Sequence, residues 1–453
     1  MRKILLLALT VLALIGYSCD PKPKEADQPQ EKCTVTHPDW IRQAVVYEVN
    51  VRQYTKEGTF AAFEAHLPRL KELGVDVLWF MPVHPISEKN RKGSLGSYYA
   101  IKDYKEINPE FGTKEDFKKL VDKAHEMGFK VIMDWVANHT GCDNVWTTSN
   151  PDWYVKDEAG NFKSPYDWTD TYELNYDNQD MCAAMLDAMK YWINDFGVDG
   201  YRCDMAHEVP TDFWNNVRTS LDSIKPVFML AESENADLMD HAFDANYSWE
   251  LMHMMHDVYK GEKNAEDIAA YIEKLATDTT LCPDAIKMNF LTNHDENSWN
   301  GTEFERYGKG AEAFAVLTYT INGMPLIYTG QEVGMTKRLS FFDKDMVPSW
   351  KENATTNFYK KLNELKRTNL ALLAGEGGTY RRYQTSANKE LLVYSREQGG
   401  RHVLVMLNLS PKSISYSSND AFGKGSYTDF FTGKTIENLP GALKPWEYKI
   451  FLR

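Results

Sequence analysis

Basic residues are in short supply: 51 Lys and Arg stand against 65 Asp and Glu, a formal net charge of -14. That deficit argues against a nucleic-acid backbone as partner, because neutralising phosphates takes an excess of cations. Long apolar runs are lacking too; Ile4 to Ile15 is too short to span a bilayer. Cysteine is sparse, with Cys19, Cys33, Cys142, Cys182, Cys203 and Cys282 making no CxxC pair and no zinc spacing. The cysteines are expected to be mostly free or buried thiols with at most two bridges. At 453 residues the chain exceeds one ordinary core, and two or three domains are expected. Its 43% hydrophobic and 26% charged residues are normal for a globular protein.

The N-terminus reads as a processing segment. Arg2 and Lys3 precede the apolar run, and the small-residue stretch Gly16-Tyr17-Ser18-Cys19 follows it. This ending resembles a bacterial lipoprotein signal over residues 1–19, with Cys19 as the lipidated first residue of an outer-membrane or periplasmic protein. Gly16 and Tyr17 depart from the strictest form, so simple secretion remains the alternative. Residues 20–38 read as a linker, since DPKPKEADQPQEK is polar, Pro-rich and has nothing to bury.

From about residue 44 to 330, short apolar strands alternate with amphipathic helices. The strands are expected at Ala44-Val51, Val75-Met81, Lys130-Val136, Val198-Asp204, Val227-Glu232, Phe243-Tyr247, Ile286-Leu291 and Met324-Thr329. Thr113 and Asp116 form a capping-box signal, Phe117, Leu120, Val121, Ala124 and Met127 an apolar stripe, and Gly128 a stop. Further helices are expected at 60–73, 180–196, 211–223, 264–276 and 310–322. Eight strands mostly separated by helices predict a (β/α)8 TIM barrel over 39–375. The interval after the third strand is far longer than a usual barrel loop and reads as an inserted subdomain over 139–178. Beyond 376 the pattern turns to short alternating strands, a C-terminal all-β domain read as a β-sandwich over 376–453.

Four short segments fall at predicted strand ends, where barrel active sites are assembled. They are Asp134-Trp135-Val136-Ala137-Asn138-His139, Gly200-Tyr201-Arg202-Cys203-Asp204, Leu230-Ala231-Glu232 and Asn293-His294-Asp295. In order and spacing they resemble the four sequence regions of the alpha-amylase family, glycoside hydrolase family 13. Gly323 to Glu332 (GMPLIYTGQE) resembles its eighth-strand segment, and Ser97 to Tyr104 its second-strand loop. The resemblance covers about residues 44–335. Aromatic residues make up 13% of the chain, a supply that serves both core packing and sugar stacking.

Retaining glycosidic cleavage needs one carboxylate as nucleophile and one carboxylic acid for the leaving oxygen. Arg202 and Asp204 are two apart on a strand and so share a face, where the guanidinium keeps the carboxylate ionised. The resemblance makes Asp204 the nucleophile, against a structural Arg–Asp pair. It makes Glu232 the general acid/base, with Glu234 as rival two residues on, and Asp295 the third carboxylate, which also suits a helix N-cap. It implies that Tyr99 (or Tyr98, by a slip of one), His139, Arg202, His207 and His294 bind substrate. It also admits a calcium ion on Asn138, with Asp167 or Asp170 as further ligands. Where the family often has a Lys-His pair, this chain has His207-Glu208, a departure that bears on the calcium and on the acceptor-side contact. Tyr54 to Thr59 is no DxDxDG-type loop, so no second calcium is expected after the first strand.

The implied activity is retaining hydrolysis of alpha-glucosidic, in the first instance alpha-1,4, bonds in starch-like glucans or maltooligosaccharides. A transglycosylase, branching enzyme or sugar isomerase is the alternative within the family. A non-catalytic glycan-binding protein is the alternative outside enzymes.

Overall fold

A computed structural model of the chain describes residues 33–420, 422 and 425–453. The expected leader, the lipidation candidate Cys19 and the tether as far as Lys32 lie outside the described residues. Eight parallel strands close into a barrel: β1 (Val46–Val49), β2 (Val77–Phe80), β3 (Lys130–Val136), β4 (Gly200–Asp204), β5 (Phe228–Ala231), β6 (Ala245–Tyr247), β7 (Ile286–Asn289) and β8 (Met324–Tyr328). Their order around the barrel is sequential, with β8 pairing β1. Strands covered on both faces are largely apolar, and runs such as VYEV and VLWF are fully buried rather than alternating, Glu48 being the one acid in these two.

Helices clothe the barrel where the 3.6-residue pattern predicts them. Lys114–Glu126 opens with the Thr113/Asp116 capping box, both of its bonds formed. The expected 60–73 helix is two, Phe60–Glu64 and Leu67–Leu73; Pro68 sits in the first turn of the second, where its missing N–H costs nothing. The helix Gln179–Tyr191 runs on into a widened turn, Trp192–Phe196.

The long insertion is closed by a small antiparallel hairpin, His139–Gly141 with Thr171–Glu173. Tyr154, Phe162 and Tyr172 pack together inside it and against the barrel's own apolar cluster. Its closure fixes His139 at the barrel mouth.

The C-terminal strands form one six-stranded antiparallel sheet and a separate two-stranded one. The large sheet includes β9 (Thr379–Tyr383), β10 (Leu391–Gln398) and β11 (Arg401–Asn408). Its alternation divides two cores. Leu392, Tyr394, Val403, Val405 and Leu407 join the barrel's cluster. Leu391, Val393, Leu404 and Met406 face a second cluster that includes Ile414 and Leu443 of the small sheet.

The end of the expected linker is not loose. Cys33 is bonded to Cys282 across 249 residues, and His37 contacts Asp244 at 2.7 Å. Residues 33–38 are thus fastened to the barrel, because their few polar groups find buried partners there. Cys142, Cys182 and Cys203 are free thiols.

β4 approaches β5 closely at Gly200. Its φ is +149°, and a Cβ there would lie 1.9 Å from the Phe228 carbonyl oxygen. Gly200→Ala is expected to lower stability by about 3 kcal/mol, since backbone on both sides leaves no room to yield. A calorimetric melt of the variant that matched the wild type would contradict this.

Candidate active site

β3, β4 and β5 lie side by side with Asp134 opposite Arg202 and Val136 opposite Asp204. Side chains two apart on a strand share a face, so Arg202 and Asp204 both point into the barrel mouth, and Asp134 beside them. Arg202 is fully buried and gathers acids around one guanidinium. Its Nη1 donates to Asp134 at 2.9 Å and to Asp204 at 3.0 Å. Its Nη2 makes a 2.7 Å ion-pair contact with Glu232 that is not an aligned hydrogen bond, and its Nε donates to the Tyr247 hydroxyl at 3.1 Å.

Glu232 follows the last residue of β5, and its other carboxylate oxygen accepts the Met205 N–H at 2.8 Å. Met205, directly after Asp204, has φ +45°, a conformation costly for a non-glycine residue that turns its N–H toward Glu232. The rival Glu234 is exposed and accepts the Glu250 N–H at the start of helix Trp249–Lys260. That is a capping contact.

The third acid, Asp295, faces His294 Nε2 at 3.3 Å and is the open member, with 42% of its side chain exposed. His294 Nδ1 meets Glu48 Oε1 at 2.5 Å, and Nε2 also lies 2.7 Å from the Tyr99 hydroxyl. Tyr99 donates to Asp134 at 3.0 Å, and its ring stacks on His294. Tyr98 points elsewhere: its hydroxyl donates to Asn50, and the Arg52 guanidinium covers its ring.

Charge decides the protonation states. Five acids, Glu48, Asp134, Asp204, Glu232 and Asp295, surround two cations, Arg202 and His294, so full ionisation leaves uncompensated negative charge. Burial pushes Asp204 up to about 6 while Arg202 pulls against it. Burial pushes Glu232 to about 7, Arg202 opposing and Asp204 and Asp295 adding repulsion. Burial acts to raise Asp295 as well, but His294 and Arg202 outweigh it and hold the group below its ordinary value. Burial acts to lower His294; Asp295 and Glu48 override it and hold the ring cationic. The spare proton therefore rests best on Glu232, and Asp204 and Asp295 stay ionised.

Asp204, Asp295, Tyr99 and His139 line one cavity of about 460 Å3. Its walls are aromatic: Trp168 from the insertion, and Trp299, Phe341 and Phe342 opposite. Trp299 is 52% exposed beside Phe341, an open ring face of the kind sugars stack on. His139 is buried, lowered to about 4 by that burial and therefore neutral, with its ring edge on Trp168. His207 sits apart from this wall, its Nδ1 3.4 Å from the Glu232 carbonyl and its Nε2 3.5 Å from Glu208.

The expected calcium ligands do not assemble. The Asn138 carbonyl accepts the Leu174 N–H, and its side-chain amide nitrogen faces His139 Nδ1. Asp167 and Asp170 line the sugar-sized cavity instead, and Lys92 neutralises Asp170 at 3.0 Å. Calcium wants several oxygens around one point, and this donor set offers too few. Among the described residues, the group of acidic, His or Cys side chains close enough to share a metal is Cys33, Asp240 and Cys282, whose two sulfurs are already bonded to each other.

Glu48, Trp79, Trp168, Trp299 and Phe341 went unread in the sequence. Glu48 had a signal: a lone acid within the buried strand VYEV. Trp79 Nε1 donates to Asp134 at 3.1 Å.

The chain belongs to the alpha-amylase family: the alpha amylase catalytic domain matches residues 44–173 and 144–370. Alpha-amylase MalA of Haloarcula japonica is 31% identical over 320 residues, 66% of this chain and 46% of that protein, so the chain spans under half of that relative's length. The crystal structure of an alpha-amylase from Lactobacillus plantarum is 32% identical with TM-score 0.82, over 91% of this chain and 99% of that one. That of a maltogenic alpha-amylase from Thermotoga neapolitana is 29% identical with TM-score 0.82, over the same shares.

With Glu48 ionised against it, His294 is expected to stay protonated across neutral pH. In Glu48→Gln one of the two anions that hold the ring cationic is gone, so the His294 pKa must fall relative to the wild type, with Asp295 still raising it. Histidine NMR reads this directly; a wild-type His294 titrating at its ordinary value contradicts the scheme.

Proposed function

We propose that the protein is a retaining glycoside hydrolase of alpha-glucans, cleaving alpha-1,4 bonds in starch-like polymers or maltooligosaccharides. The observation that carries this is Arg202 holding Asp204 and Glu232 on its two terminal nitrogens beside an aromatic-walled cavity. In the first step the Asp204 carboxylate attacks the anomeric carbon, and the proton on Glu232 passes to the departing glycosidic oxygen. In the second step Glu232, now ionised, takes a proton from water, whose oxygen attacks the same carbon and frees Asp204. Two inversions restore the original configuration.

Asp295 and the cationic His294 grip ring hydroxyls in this reading, and Asp295 adds negative charge near the oxocarbenium-like centre. Tyr99 supports the same sugar from below, and neutral His139 offers it a hydrogen bond. Trp299 and Trp168 serve as stacking walls for neighbouring sugars. His207 stands on the acceptor side. Relatives include cyclomaltodextrin glucanotransferases, such as one from Geobacillus stearothermophilus at 30% identity, so transfer to a sugar hydroxyl in place of water is the second reading.

Export is part of the proposal. The charged, apolar and small-residue order of residues 1–19 supports a leader ending at Cys19, and the Cys33–Cys282 bridge suits an oxidising compartment. A mature protein whose mass shows neither a lipidated Cys19 nor loss of the leader would rule this out.

Asp204→Asn is expected to keep the fold and lose at least about a thousandfold in kcat, since an amide cannot act as nucleophile. Activity retained within tenfold would remove Asp204 from the mechanism. Wild-type activity should fall below about pH 6 as Asp204 takes a proton, and above about 7 as Glu232 loses one. The two midpoints belong to the coupled pair, and a profile flat across both contradicts the assignment. Maltoheptaose products, with and without an added acceptor sugar, distinguish hydrolysis from transfer.

A further inference from the structure

At the opposite end of the barrel from the carboxylates, a cleft of about 760 Å3 opens where the chain enters β7 and β8. Helix Ala265–Thr277, outward-facing residues of β6 and β7, the Gly375–Gly378 segment and the sheet strands β9 and β10 wall it. It shares no residue with the catalytic cavity.

Arg396 of β10 lines this cleft with 1% of its surface exposed. Its Nε donates to the Gly378 carbonyl at 2.7 Å and its Nη1 to the Thr320 carbonyl at 3.5 Å. Both acceptors are neutral. Among the described residues no carboxylate is paired with it; the groups that act on its charge are Tyr394 and Tyr380. Burial lowers it to about 10, which leaves it a cation at neutral pH. Lys366, buried nearby, adds repulsion and spends its ammonium on the Gly323 and Leu372 carbonyls. A buried guanidinium without a counter-charge is unfavourable, and natural structures pair such groups.

Among the described residues, two polar atoms of the same walls have no partner. Asn246, 1% exposed on β6, leaves its Nδ2 unbonded, and so does the Tyr380 hydroxyl of β9. Lys287 adds an ammonium that donates to the Tyr247 carbonyl at 3.4 Å and lies within the field of Glu234, Glu250 and Asp278. Each unmet group is a donor. The two acids on the cleft are otherwise engaged: Asp278 accepts from Thr280, and Glu376, 69% exposed, faces Arg42. A cation is repelled by this lining, and an apolar ligand leaves the donors unmet. A neutral sugar supplies acceptors but no charge.

We infer that this cleft is a second binding site, for an oxyanion: Arg396 supplies the charge, and Asn246 Nδ2 and the Tyr380 hydroxyl supply further hydrogen bonds. The chemistry is that of a phosphoryl group, present either as free phosphate or on a sugar. The volume exceeds what a bare phosphate fills and accommodates a hexose beside it.

The test is isothermal titration of the intact protein, in a buffer free of phosphate and sulfate, with inorganic phosphate, with glucose 6-phosphate and with glucose. Saturable binding of inorganic phosphate is expected. Glucose 6-phosphate binding about tenfold tighter identifies a sugar phosphate as the source, and equal affinity identifies free phosphate. Arg396→Gln removes the charge but also two structural bonds. Tyr380→Phe and Asn246→Leu are therefore the decisive variants, since the Tyr380 hydroxyl and the Asn246 Nδ2 have no partner to lose. Each is expected to weaken phosphate binding about tenfold while starch hydrolysis stays unchanged. No saturable phosphate binding to the wild type, or unchanged affinity in both of those variants, overturns the inference.

Discussion

The whole site hangs on one buried cation. Arg202 has no exposed surface, and taking a guanidinium out of water is unfavourable unless its donors are met by charge. Asp134, Asp204, Glu232 and the Tyr247 hydroxyl meet them. Because the guanidinium is planar and rigid, its nitrogens fix where those acids stand. Asp204 and Asp134 share one nitrogen and Glu232 takes the other. The proposed nucleophile and the proposed acid are therefore positioned by one group, and the field of that group acts on both. Had Arg202 been a lysine, its point charge would hold one acid well and leave the others free to turn.

The barrel makes this arrangement affordable. Parallel strands aim their ends at one mouth, so residues far apart in sequence, such as Glu48, Asp134, Asp204, Glu232 and His294, reach a common region from separate strands and loops. A second layer then holds the first. Glu48 and Asp295 keep His294 charged, Trp79 and Tyr99 donate to Asp134, and the strained Met205 turns its N–H onto Glu232. Burial, with repulsion from Asp204 and Asp295 added to it, keeps a proton on Glu232 against the pull of Arg202, while Asp204 remains ionised. The disulfide and the fastened stretch 33–38 act at the other end of the barrel, away from the chemistry.

Most of the fold could be read in advance because a barrel's physics is local. Strands covered on both faces are short apolar runs, and every one of the eight was visible, although residues at their ends lie in turns instead of ladders. Helices Trp249–Lys260 and Ala354–Thr368 escaped notice although both carry an apolar stripe, Leu251, Met252, Met255 and Val258 in the first and Phe358, Tyr359, Leu362 and Leu365 in the second; Met and His in the first, and Lys, Asn and Thr in the second, surround it. Asp204, Glu232 and Asp295 were legible because they sit in short contiguous segments at strand ends whose order and spacing resemble those of the alpha-amylase family. Trp299, Phe341 and Trp168 were not, because loops far apart in sequence bring them together and no periodicity marks a loop residue. Asn138 illustrates the opposite limit. A motif suggested a metal ligand, but a metal site is a convergence of donors, and here Lys92 holds the acid that an ion needs.

The central claim is that Asp204 forms a covalent bond to the sugar, positioned by Arg202 and assisted by Glu232. Its most direct test is mass spectrometry of the protein after reaction with a fluorinated alpha-glucosyl fluoride, a substrate whose second step is slowed. The account predicts one added glycosyl group, on the peptide that carries Asp204. A glycosyl group on Glu232 or Asp295 instead, or rapid turnover to a product of inverted configuration with no labelled protein, would contradict it.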